Sequence, residues 1–184
     1  MDEDFPRLVS LACHDLRTPL ATVQGFAKTL TRQGGLDERT ERWLGLIDEA
    51  SEEVVGLLDL LSLAARIEDG RYEPVTQAVD SLVLAQRAVP EATGAGAEVT
   101  VEPDAVARAL AGLVRAASRH GGVDASLTVE GSRLSVQPVV PEAAPIVLGD
   151  DMRDLGAAVA VRLVRALGGS VQLEGERLWV VLPA

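Results

Sequence analysis

Apolar residues recur along the first third of the chain in alternating steps of four and three: Val9, Cys13, Leu16, Leu20, Val23, Ala27 and Leu30. This is a heptad seam, and it predicts a helix from about Phe5 to Arg32. Gly34-Gly35 breaks the pattern, and Asp37 can cap a second helix. There the spacing returns in Trp43, Ile47, Ala50, Val54, Leu57, Leu61 and Ala64, ending near Asp69-Gly70. Two seamed helices on a short turn form an antiparallel hairpin. Even with Leu46, Val55, Leu58 and Leu60 as extra apolar neighbours, a lone hairpin buries too little, whereas two copies make a four-helix bundle. A homodimer is therefore expected, with packing against the rest of the same chain as the alternative.

Beyond Arg71 the heptads stop. Tyr72-Glu73-Pro74 reads as a connector, Val75 to Val89 as an amphipathic stretch, and Pro90 through Gly94 and Gly96 as a loop. Glu98 to Val101 alternates like a short strand. Pro103-Asp104 opens a helix that runs towards Arg119 and stops at His120-Gly121-Gly122, where His120 reads as structural. Two β-hairpins follow. One pairs Ser126 to Glu130 with Arg133 to Val139 around Gly131-Ser132, and the other pairs Ser170 to Glu174 with Arg177 to Leu182 around Gly175-Glu176. Between them a helix from about Asp154 to Leu167 carries Leu155, Val159, Leu163 and Ala166 on one side and ends at Gly168-Gly169. Helices covering one face of a mainly antiparallel sheet make an α+β layer. The chain thus divides into a helical hairpin over residues 1–70 and a small α/β sandwich over 71–184.

At 184 residues with 47% apolar content, the chain has ample material for one mixed domain or two small ones. A formal charge of -11 and a pI near 4.6 argue against general binding to nucleic acid or anionic membranes, while leaving room for a local basic patch. Met1-Asp2-Glu3-Asp4 is acidic where a signal peptide is basic, and no apolar run is long enough to cross a bilayer. A cytoplasmic protein without membrane insertion is expected. The single cysteine, Cys13, has no disulfide partner in the chain and lies on the seam as a small buried thiol. Because adjacent helical residues point about 100° apart, it does not pair with His14.

The candidate chemistry lies in Cys13-His14-Asp15-Leu16-Arg17-Thr18-Pro19-Leu20. Pro19 has no N–H for the carbonyl of Asp15 and crowds it, a helix-interior defect of about 3 kcal/mol. Local rules are broken mostly at functional sites. His14 and Thr18 stand one turn apart, on the same side and off the seam, so the imidazole is offered to solvent or a partner.

With these pieces in place the chain resembles the core of sensor histidine kinases: a dimerisation and histidine-phosphotransfer hairpin followed by a GHKL-type ATPase-like domain. His14-Asp15-Leu16-Arg17-Thr18-Pro19-Leu20 looks like the family's H box, and Ala65-Arg66-Ile67-Glu68-Asp69-Gly70 closes the second helix as in family members. The resemblance implies that His14 is the phospho-acceptor and that Asp15 takes a proton from the imidazole and orients it. Thr18 stands at the position of the phosphatase residue, which orients water against a phosphorylated receiver. Arg17 and Pro19 complete the box, Pro19 as its kink.

The second half follows the ATPase-like fold in outline without its nucleotide-binding residues. Gly112 and Ala116 stand where the family's N box carries asparagines for Mg²⁺ and phosphate, and neither offers a side-chain ligand. Gln137-Pro138-Val139-Val140-Pro141 replaces the glycine box with its adenine-binding aspartate. In the later glycine-rich segment, Met152 to Val159, only Gly156 remains, and Asp154 repels phosphate. Val139 to Asp151 leaves little room for a lid over ATP. The expectation is a histidine phosphotransferase that carries a phosphoryl group between response-regulator receivers on His14. It needs no resident cofactor or metal, the Mg²⁺ arriving with the receiver. An ATP-dependent kinase with a divergent nucleotide site, or a non-catalytic docking module, remain the other readings at this level.

Overall fold

The computed structural model describes residues 4–183 and divides into two compact units between Arg71 and Tyr72. The acidic start read above, Met1-Asp2-Glu3, lies outside the described residues.

The first unit is a hairpin of α1 (Asp4–Gln33) and α2 (Glu38–Glu68). Gly34 and Gly35 form the turn at φ 67° and 74°, left-handed values that glycine adopts without a Cβ clash. Asp37 caps α2 as expected, its carboxylate accepting from the Thr40 amide at 3.0 Å and the Thr40 hydroxyl at 2.7 Å.

The helix–helix seam differs from the one the heptads suggest. The α2 face turned to α1 carries Leu44, Ser51, Leu58 and Ala65, one residue after the run that starts at Trp43. On α1 the buried positions are Cys13 and Ala27. Leu16, Val23 and Leu30 of the α1 seam stay exposed, as do Trp43, Ile47, Val54, Leu57 and Leu61 of the α2 seam. The hairpin therefore has two apolar faces, one spent on its own partner helix and one open.

Two carboxylates at the ends of α2 make the hairpin sensitive to acid. The Thr40 hydroxyl and amide hold Asp37 below the usual carboxylate range, and the Arg71 guanidinium does the same for Asp69. A carboxyl lowered in the folded state gives stability that is fully present above its unfolded value and is lost as pH falls through its folded one. Thermal melts followed by circular dichroism should thus show the hairpin losing stability only below the ordinary carboxylate range. Asp37→Asn should flatten that slope.

The second unit contains β1 (Gln77–Asp80), α3 (Ser81–Ala88), β2 (Thr93–Gly96), β3 (Glu98–Val101) and α4 (Pro103–Gly121). It continues with β4 (Ser126–Gly131), β5 (Arg133–Gln137), α5 (Ala144–Val147), α6 (Leu155–Ala166), β6 (Ser170–Glu174) and β7 (Arg177–Val181). The main sheet runs β2-β4-β5-β7-β6, antiparallel except that β2 lies parallel to β4, and β1 and β3 form a separate antiparallel pair. Alternation sends Leu127, Val129, Leu134, Val136, Leu178 and Val180 into the core, under the helices. On the other face Trp179 is covered by the guanidinium groups of Arg133 and Arg177, 4.3 and 5.3 Å from its ring centre.

Both predicted β-hairpins and the helices of α4 and α6 are present. The stretch from Val75 to Val89 is not one amphipathic element: Asp80 ends β1 and caps α3, its carboxylate accepting from Leu82 N at 2.7 Å. The expected loop through Gly94 and Gly96 is strand β2, which becomes a strand only through its pairing with β4. The strand expected to reach Val139 stops at Gln137, before Pro138. In α6, Val159 and Leu163 are buried as expected, but Ala166 is exposed.

Candidate functional site

The elements that place His14 are a continuous α1 and the α2 beside it. The helix runs through Pro19 unbroken, so the carbonyl of Asp15 receives no amide from position 19. One residue decides the local geometry: Cys13 is 2% exposed, so its neighbour His14 turns outward, with 77% of its side chain exposed. The His14 Nδ1 lies 3.2 Å from the Asp15 Oδ1. With Nδ1–H donating to that carboxylate, Nε2 is left with a free lone pair facing solvent.

Thr18 is exposed one turn further along, on the side of His14, and its carbonyl accepts from the Thr22 hydroxyl at 3.1 Å. Arg17 points the other way and donates to Asp59 of α2 at 2.6 Å. That bond pins the turn weakened by Pro19 to the neighbouring helix. Asp59 is a residue that sequence reasoning missed, since nothing in the pattern links positions so far apart before the hairpin closes. The structure thus gathers His14, Asp15 and Thr18 at one exposed turn and gives Arg17 a bracing role beneath it.

The positions expected to hold nucleotide lie in the second unit, where α4 packs directly on α6. Gly112 is buried, and a Cβ built on it would meet the Gly156 carbonyl at 3.5 Å. Ala116 is fully buried. Asp154 does more than repel phosphate: one carboxylate oxygen caps α6 by accepting from Ala157 N at 3.0 Å. The other lies 3.3 Å from His120 Nε2 and 3.8 Å from Arg119. With Asp154 only 12% exposed, a carboxylate already fills the place at the start of α6 where backbone amides bind an anion. His120 has the structural role expected of it. Val139 to Asp151 holds the short α5, with Ile146 and Val147 buried.

This packing is directly testable. Gly112→Ala should be tolerated, because its methyl group meets Gly156 at ordinary contact distance and alanine favours the helix. Introducing a larger side chain with Gly112→Asn should destabilise the unit by about 1–3 kcal/mol through overpacking, measured by denaturant unfolding.

Residues 7–70 match the His Kinase A (phospho-acceptor) domain. Two Mycobacterium tuberculosis (strain ATCC 25618 / H37Rv) proteins are similar in sequence. The probable sensor histidine kinase TcrY is 34% identical over 91 residues, covering 49% of this chain and 19% of that protein. The sensor histidine kinase TrcS is 36% identical over 88 residues, covering 47% and 17%. The match thus spans less than a fifth of either relative. In fold, the chain is similar to full-length ShkA, solved in complex with AMPPNP, with a TM-score of 0.67 at 20% identity over 97% of this chain and 46% of that one. It is also similar to the Acinetobacter baumannii histidine kinase AdeS, with a TM-score of 0.54 at 17% identity over 93% of this chain and 98% of that one. With residues 7–70 matching a phospho-acceptor domain model, and a long helical hairpin followed by a small α/β unit, the chain is histidine kinase-like.

Proposed function

We propose that this protein acts in two-component signalling as a histidine phosphotransferase, without using ATP. The observation that carries the reading is a contrast within one chain. The turn around His14 keeps every group the transfer needs, while the region where nucleotide would bind offers no oxygen ligand at Gly112 or Ala116 and is capped by Asp154. Mg·ATP does not fit those residues, because hard Mg²⁺ needs oxygen donors and a phosphate would face the largely covered carboxylate of Asp154.

In the transfer, Nε2 of His14 attacks the phosphorus of a receiver's aspartyl phosphate. A P–N bond forms as the P–O bond to the aspartate breaks, and the electron pair leaves with the receiver's carboxylate. Asp15 holds the proton on Nδ1 and stabilises the imidazolium that develops. Attack on the phosphohistidine by a second receiver's carboxylate reverses these steps. Mg²⁺ belongs to the receiver. The open apolar faces of α1 and α2 support a homodimer with a four-helix bundle, and the exposure of Thr18 one turn from His14 supports a role in dephosphorylating a receiver.

The test supplies two donors side by side: γ-labelled ATP with Mg²⁺, and receiver domains phosphorylated with labelled acetyl phosphate. Acid-labile label on the protein from the receiver alone is the expected result. Label from ATP that depends on His14 would make the protein a kinase and overturn the reading.

A further inference from the structure

The helical layer of the second unit carries a charge pattern that folding does not require. From Ala105 to Gly121, the exposed positions of α4 are Arg108, Arg115 and Arg119; on α6 they are Arg165 and Ala166, with Arg162 half-exposed. The two packed helices together hold five arginines and one aspartate, Asp104, in a chain of formal charge -11. Arg115 and Arg119 are spaced i,i+4 and Arg162 and Arg165 i,i+3, like-charge pairs that weaken a helix. Among the described residues, Arg108, Arg115 and Arg165 make no ion pair, and Asp104 faces Arg87 at 3.8 Å. A solvent face of mixed charge would serve folding better, which turns attention to a partner.

We infer that this arginine stripe is a docking surface for an acidic face of the receiver that exchanges phosphoryl groups with His14. The inference rests on the phosphotransfer reading and adds to it a second point of contact. Charge decides the occupant. An extended polyanion such as duplex DNA or an anionic bilayer would also meet the acidic remainder of the chain and be repelled. A small acidic protein can match two helices alone. Held there by a tethered unit, the receiver meets His14 at raised effective concentration, and partner choice moves to a surface away from the reacting atoms.

The test uses the full chain and a triple variant, Arg108→Glu/Arg115→Glu/Arg165→Glu, with each receiver domain of the source organism as donor after phosphorylation by acetyl phosphate. Expected for the cognate receiver is a rate of His14 loading that falls with salt. The variant should lose about tenfold or more in kcat/KM through KM, keep kcat at saturating receiver, and lose most of the salt dependence. If the Glu variant does not fold, the corresponding Arg→Gln triple variant should show a smaller loss of the same kind. Equal loading of variant and native chain by a receiver overturns the inference and leaves phosphotransfer standing. So does stripe-dependent retention on phosphatidylglycerol vesicles or duplex DNA with transfer unchanged. If no receiver loads the native chain, the phosphotransfer reading fails and the docking surface with it.

Discussion

His14→Gln should take up no phosphoryl group from any phosphorylated receiver, while folding as the native chain does. Glutamine keeps polar bulk at an exposed helical position but has no nitrogen lone pair able to form the P–N bond. Because the side chain is 77% exposed, its loss removes chemistry and almost no packing. Asp15→Asn should be slower by about a hundredfold, the lower end of what a positioned acid–base partner contributes. The amide can still hold the ring but no longer balances the charge on the imidazolium. The measurement is label on the protein after acid–base discrimination of phosphohistidine, with circular dichroism to show that each variant is folded. A His14→Gln chain that still acquired acid-labile label would place the acceptor elsewhere.

The second large effect concerns the open face of the hairpin. Leu16 is 54% exposed and Trp43 50%, and they continue into Val23, Leu30, Ile47, Val54, Leu57 and Leu61. Each such side chain is already about half covered in the hairpin, so completing its burial contributes about 1 kcal/mol. The native chain should therefore sediment as a dimer, and Leu16→Glu/Val54→Glu should be monomeric, because two carboxylates in an apolar seam cannot be desolvated without partners. The helicity of the hairpin should fall when dimerisation is lost, since the two helices on their own are joined by few buried side chains. A native chain that sediments as a monomer at micromolar concentration would show that the open apolar face of the hairpin is not the seam between two copies.

These predictions draw on features that differ in how far they could be read from the chain. The turn around His14 was legible because its parts are adjacent in sequence. A heptad that keeps Cys13 inward turns His14 outward, and a proline one turn later announces a site. Asp59 was not legible, because its link to Arg17 crosses the hairpin and depends on the rotation of both helices. The absence of side-chain oxygens at Gly112 and Ala116 was visible in the amino-acid order. What took their place was not: the close approach of Gly112 to Gly156, and the sharing of Asp154 between the cap of α6 and His120.

The local elements follow from the order of residues alone: two heptad helices with their Gly-Gly turn and Asp37 cap, both β-hairpins around their turn residues, and the exposure of His14. Such features follow from side-chain periodicity and from backbone preferences within a few residues. Packing between the helices alone selects which apolar face of α2 meets α1. Trp43 and Leu44 start two apolar runs about 100° apart, and either could serve as the seam until a partner is present. Tertiary structure alone decides that β2, a strand of Thr93-Gly94-Ala95-Gly96 with no apolar alternation, pairs parallel to β4. A strand with no pattern of its own forms only where a neighbouring edge supplies its hydrogen bonds.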